Sequence, residues 1–192
     1  MDFPKAEQYV RELLKQLSPL LTYHDAAHTF GVLDAAVRIA MAEGITNEEE
    51  LTLLKTAALF HDCGYVKAYE NHEEESCRIA SEALPAMGYS SAQVDLVCAM
   101  IMTTKVAIEP RTHLEKILCD ADLDYLGDDA FEQGGKKLFA EWMAYGKLKD
   151  EREWNEKQVR FLESHRYYTS SAMKQRDARK QEHLARLRSL VA

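Results

Sequence analysis

The chain has 192 residues, a formal net charge of −8, and 46% hydrophobic and 29% charged residues. This is the composition of a soluble globular protein long enough for one substantial core, and its acidity excludes a general nucleic-acid-binding face. The longest apolar run, Leu96 to Met102, is too short to span a membrane, the first residues lack a signal-peptide pattern, and Cys63, Cys77, Cys98 and Cys119 show no Cys-x-x-Cys spacing, so we expect a cytoplasmic protein with free thiols.

Apolar residues recur at helical period almost throughout, and no segment alternates at period two. Ala6, Val10, Leu13, Leu14 and Leu17 form a first helical stripe that ends near Pro19. Phe30, Leu33, Val37, Ala40 and Met41 form a second, stopped by Gly44. Asn47, with Glu50 three residues on, reads as the N-cap of a third helix carrying Leu51, Leu54 and Ala58 and ending at Gly64. A fourth runs from about Glu73 to Leu84, and Ser90 or Ser91 caps a fifth with Val94, Val97 and Ile101. Thr112 and Glu115 form the capping box of a sixth, expected to continue through Leu126 to Gly127. Two more helices are expected at about 129–145 and 151–167, and a basic one at about 170–190 whose charges we read as a solvated face. The expectation is a single all-α domain over residues 1–192, with a C-terminal helical extension from about residue 131.

The chemistry is concentrated at His28, His61-Asp62 and Asp120-Ala121-Asp122. His61 shares a register with Leu51, Leu54 and Ala58 and so points inward, where an imidazole needs a partner. Asp62 follows at the end of the helix, where the terminal carbonyls favour a cation. Asp122 lies with Leu114, Leu118 and Tyr125, so it projects inward and needs a counter-charge. Asp120 falls with His113, Lys116 and Asp124 on the more polar side, as an outer or solvent-facing residue. His28 sits inside an apolar helix and is the better upstream ligand. His24, four residues before it, is either a structural residue at the helix mouth or a proton donor.

The pattern His28, His61-Asp62 and Asp122 resembles the HD-domain superfamily of metal-dependent phosphohydrolases over roughly residues 20–130. Tyr23-His24-x-x-x-His28 is similar to the opening motif of cyclic-nucleotide phosphodiesterases, which share the helical HD core and in which such a His is the general acid. The resemblance implies an HD-domain-like helical bundle with His28, His61, Asp62 and Asp122 binding one divalent ion (Mn, Mg, Fe, Co, Ni or Zn), and His24 as general acid. Two-metal relatives place further histidines between the doublet and the last Asp. Here that stretch offers His72 and then Met102-Thr103-Thr104-Lys105, so one metal is expected, with a weaker second site at His72 as the minor reading. The expected substrate is a small phosphate ester, foremost a nucleotide, with His72 as a second acid/base residue and Lys67, Lys105 and Arg111 as anion contacts unless these are ordinary surface charges. An HD-fold di-iron oxygenase and a non-catalytic nucleotide sensor are the alternatives. The Gly134-Gly135-Lys136-Lys137 run lacks P-loop spacing, and Trp142, Trp154 and His165 read as packing residues. A homo-oligomer is compatible with the sequence.

Overall fold

A computed structural model describes residues 1–106 and 108–191. Among the described residues there are nine α-helices and no strand, so the all-α expectation holds: α1 (Phe3–Leu14), α2 (Ala26–Ala42), α3 (Glu48–Phe60), α4 (His72–Ala83), α5 (Ser91–Met102), α6 (His113–Asp122), α7 (Phe131–Ala144), α8 (Glu151–Ser164) and α9 (Ser170–Val191). Three short 3-10 turns, Cys63–Val66, Leu84–Met87 and Asp124–Gly127, join them at bends. No described helix is long and apolar enough to cross a membrane.

The caps act where the sequence places them. Asn47 accepts from the Glu49 and Glu50 amides, and Ser90–Gln93 and Thr112–Glu115 close reciprocal capping boxes. Asp25 caps α2 by accepting from the His28 amide at 2.9 Å, so His24 lies outside the helix that carries His28. Two helices end earlier than their periodicity indicates. α3 stops at Phe60 with His61 as its C-cap, and α6 stops at Asp122 before the turn Asp124–Gly127. In both, the chain bends at the candidate ligand, which frees that side chain from the helix face.

The main core joins α1 to α6, with Phe60, Leu54, Ile39, Ile101 and Leu118 fully buried. A smaller cluster of Leu126, Phe131, Val159, Leu162, Leu184 and Leu187 ties α7, α8 and α9 to the 3-10 turn after α6. The basic helix α9 is not a solvated face throughout. Arg176 pairs with Asp124 (2.6 Å) and Asp128 (2.7 Å), and the buried Lys180 donates to the carbonyl of His165 at 2.8 Å. Burial and the Lys180 charge depress the His165 imidazole to about 4, in keeping with a neutral packing histidine stacked on Phe161.

Asp120 departs from its expected place. Far from facing solvent, it is 1% exposed and accepts from the Tyr168 amide (2.8 Å), the Thr169 amide (2.7 Å) and the Thr169 hydroxyl (2.7 Å). The segment leading into α9 covers the side of α6 that looks polar in isolation. Burial pushes the Asp120 carboxyl up, opposed by these three donors. Asp120→Ala would leave buried donors without an acceptor, so we predict a loss of about 3 kcal/mol in urea unfolding with metal content retained. A loss under about 0.5 kcal/mol would show that this clamp does not hold α9.

Candidate metal centre

Four ligand-type atoms from three elements converge beneath α4. The His28 Nε2 atom, from the first turn of α2, lies 3.4 Å from His61 Nε2, 3.4 Å from Asp62 Oδ2 and 3.1 Å from Asp122 Oδ1. The His61 Nε2 atom is 3.2 Å from Asp62 Oδ2 and 3.5 Å from Asp122 Oδ1. Local structure fixes each group. His61 Nδ1–H donates to the Ala58 carbonyl at 2.8 Å, which selects the tautomer with a free Nε2 lone pair. The Ser76 hydroxyl donates to the His61 carbonyl (2.7 Å) and accepts from the Gly64 amide (2.8 Å), so α4 straps the doublet in place. Gly64 is more than a helix stop: a Cβ there would lie 1.9 Å from the His72 carbonyl oxygen, so this close approach requires glycine.

The residues present fit a divalent cation. Asp62 Oδ2 is buried without a hydrogen-bond partner, while His61 is 0% and Asp62 5% exposed. A buried carboxylate oxygen in that state needs a positive charge. Burial alone would lower the His28 imidazole, yet the Asp122 and Asp62 carboxylates beside it win and raise it to about 9. His61 is raised in the same way, against its own burial, by Asp62 and Asp122. Burial would raise both carboxyls, but the two imidazoles hold Asp62 and Asp122 below the usual carboxylate range. A site that concentrates positive charge this strongly is one a divalent cation can occupy in place of protons. His28, His61 and Asp122 alone offer three ligand atoms within 4.8 Å of one another.

His24 and His72 stand beside this group. His24 Nδ1 is 2.5 Å from Glu141 Oε1, and Glu141 also accepts from the Tyr23 amide (2.9 Å), the His24 amide (3.1 Å) and the Tyr69 hydroxyl (3.2 Å). Burial would raise the Glu141 carboxyl, but the His24 hydrogen bond and charge, with the two amides, hold it below the ordinary range. Glu141 escaped the sequence reading. It follows Leu138 by three residues on an otherwise apolar stripe, so the inward-acid test that singles out Asp122 would also have found it. His72 Nε2 lies 3.5 Å from the other Asp62 oxygen, its ring stacked on Tyr65 at 3.9 Å. Burial lowers its pKa, despite Asp62 and Glu73 nearby.

A cavity of about 710 Å³ opens over Asp62 and Asp122 and is lined by His24, His72 and Lys105. Lys105 is ion-paired with Glu74 at 2.6 Å and bonds Asn71 at 3.2 Å. Lys67 is exposed after the turn Cys63–Val66 and is not among the lining residues. Arg111 borders a separate depression with Thr103, Ile108 and Glu115. The cations that sequence reasoning missed are Lys147 and Lys157, which line the cavity and pair with Glu70 and Glu153.

Residues 25–124 match the family model of the HD domain. The fold is similar to that of a predicted HD superfamily hydrolase from an uncultured Thermotogales bacterium, with 25% identity and a TM-score of 0.65 over 98% of this chain and 90% of that one. It is also similar to Bacillus subtilis YpgQ in complex with ADP, with 24% identity and a TM-score of 0.67 over 99% and 95%. No curated protein matches the sequence significantly. The geometry predicts that Asp122→Ala weakens metal binding by more than the roughly 100-fold typical of an outer-sphere partner, while Asp120→Ala retains the metal. Elemental analysis after dialysis checks this, and the opposite ranking would show that the wrong aspartate has been placed at the ion.

Proposed function

The chain belongs to the HD-domain family, and we propose that it is a metal-dependent phosphohydrolase acting on a small phosphate ester, with nucleotides as the substrate class. The observation that carries this reading is the convergence of His28, His61, Asp62 and Asp122, of which Asp62 and Asp122 line a cavity that also presents His24, His72, Lys105 and Lys147. Those four residues would hold a divalent ion, which would supply Lewis acidity toward a phosphoryl oxygen and toward water. The ADP bound to the Bacillus subtilis relative supports the nucleotide part of the proposal.

The remaining work falls to the chain's own side chains. His24 is oriented through Nδ1 by Glu141, and its Nε2 lies near the Tyr65 hydroxyl at 3.5 Å. It can therefore present Nε2 to a departing oxygen as a proton donor, with Glu141 fixing the orientation of the ring. His72, Lys105 and Lys147 are the groups we assign to the phosphate, each able to exchange its carboxylate neighbour for a substrate oxygen. Because the protein is acidic overall, these few cations and the ion must focus the field locally.

In the metal-loaded full chain, His24→Asn should lower kcat by about 100-fold on esters with poor leaving groups and much less on an activated aryl phosphate. Glu141→Gln should act in the same direction with a smaller effect. Equal losses on both substrate types would remove His24 from the acid role. Inertness toward nucleotides and phosphate esters, with metal bound and several divalent ions tried, would replace the hydrolase with the sensor reading.

A further inference from the structure

The cavity is far larger than a phosphate on the metal would fill, and its two ends differ. Beyond His24 and His72 it continues between α7 and α8, where Phe131, Leu138, Trp142, Trp154 and Leu162 form the wall. Both helices lie outside the matched residues 25–124, so this wall is an addition to the family core. Trp142 and Trp154 meet edge to face, with centroids 5.5 Å apart. Lys157, which also lines this cavity, is ion-paired with Glu153 at 3.5 Å.

Beside Lys157, one uncharged polar group interrupts the apolar surface. Gln158 lines the cavity, and its carboxamide makes a single side-chain hydrogen bond among the described residues, a long one of 3.4 Å from Nε2 to Asn155. Its approach to α7 depends on a residue without a side chain: a Cβ on Gly135 would lie 3.3 Å from Gln158 Oε1 and 4.0 Å from Trp154. A Cβ on Gly134, beside it, would lie 3.1 Å from the Tyr125 ring. Two glycines inside a helix disfavour it by about 1 kcal/mol each, which the Gly134-Gly135 pair offsets by letting α7 close on both neighbours.

We infer that the space between α7 and α8 seats the organic half of the substrate, a planar nucleobase held against Trp142 and Trp154 and read at its edge by the Gln158 carboxamide. The inference rests on the phosphohydrolase reading, in that the phosphate is taken to lie on the metal. Indole faces suit a flat π-system. A carboxamide offers a donor and an acceptor side by side, matching the edge of a heterocycle. A lipid tail would leave that amide desolvated and unpaired, so an aromatic heterocycle fits the wall better than an alkyl chain.

Trp142 and Trp154 are the two tryptophans of the sequence, so intrinsic tryptophan emission reports on this wall. The full chain, with metal and with chelator, should be titrated with the common nucleosides, their 5′-monophosphates, octyl phosphate and inorganic phosphate. At least one nucleoside should quench the emission saturably even with chelator, inorganic phosphate should not, and Gln158→Ala should weaken the nucleoside about 10-fold. Absence of a response to every nucleoside and nucleotide, or an equal response to octyl phosphate, would overturn the inference. Saturable quenching without hydrolysis supports this seat while sinking the hydrolase reading. Hydrolysis without quenching does the reverse.

Discussion

Two carboxylates, Asp62 and Asp122, are held against the imidazoles of His28 and His61, with His72 at the other Asp62 oxygen, and the rest of the molecule is arranged around that fact. Charge withdrawn from water is tolerated only when it is matched. The matching here comes from helix ends: α2 begins just before His28, α3 gives way at His61-Asp62, and α6 stops at Asp122. Ending the helices at the ligands aims their side chains at one point. It also makes the centre depend on caps and turns such as Asp25, Gly64 and Ser76.

The C-terminal helices complete the centre through two further buried acids. Asp120 reaches from α6 to the amides of Tyr168 and Thr169 and so docks the start of α9. Glu141 reaches the opposite way, from α7 to the amides of Tyr23 and His24. Each satisfies backbone donors on a distant segment, so α7 and α9 are tied to the core that carries the four candidate ligands by hydrogen bonds as well as by apolar packing. Glu141 adds a chemical consequence, since the same carboxylate sets the orientation of the His24 ring.

Much of this was legible in the sequence because it is local. Helical periodicity, the Ser90 and Thr112 capping boxes and the inward register of His61 depend on residues within a few positions of one another. Asp122 was readable by the same test. Asp120 was not, because the donors that bury it lie 48 and 49 residues away, and a helical wheel cannot see a face that a later segment covers. Lys67 and Arg111 were misleading for a related reason. Nearness along the chain to a ligand does not say which side of a turn a side chain takes, and neither residue lines the cavity over the metal centre. The far wall, from α7 and α8, looked like ordinary packing until tertiary structure brought Trp142, Trp154 and Gln158 to a common space.

The central claim is that four side chains close around one cation. Anomalous diffraction from a crystal grown with manganese, collected to maximise the metal signal, tests it most directly. The account predicts one strong peak bounded by His28 Nε2, His61 Nε2, Asp62 Oδ2 and Asp122 Oδ1. A strong peak elsewhere, or none among these four atoms at saturating manganese, would contradict it.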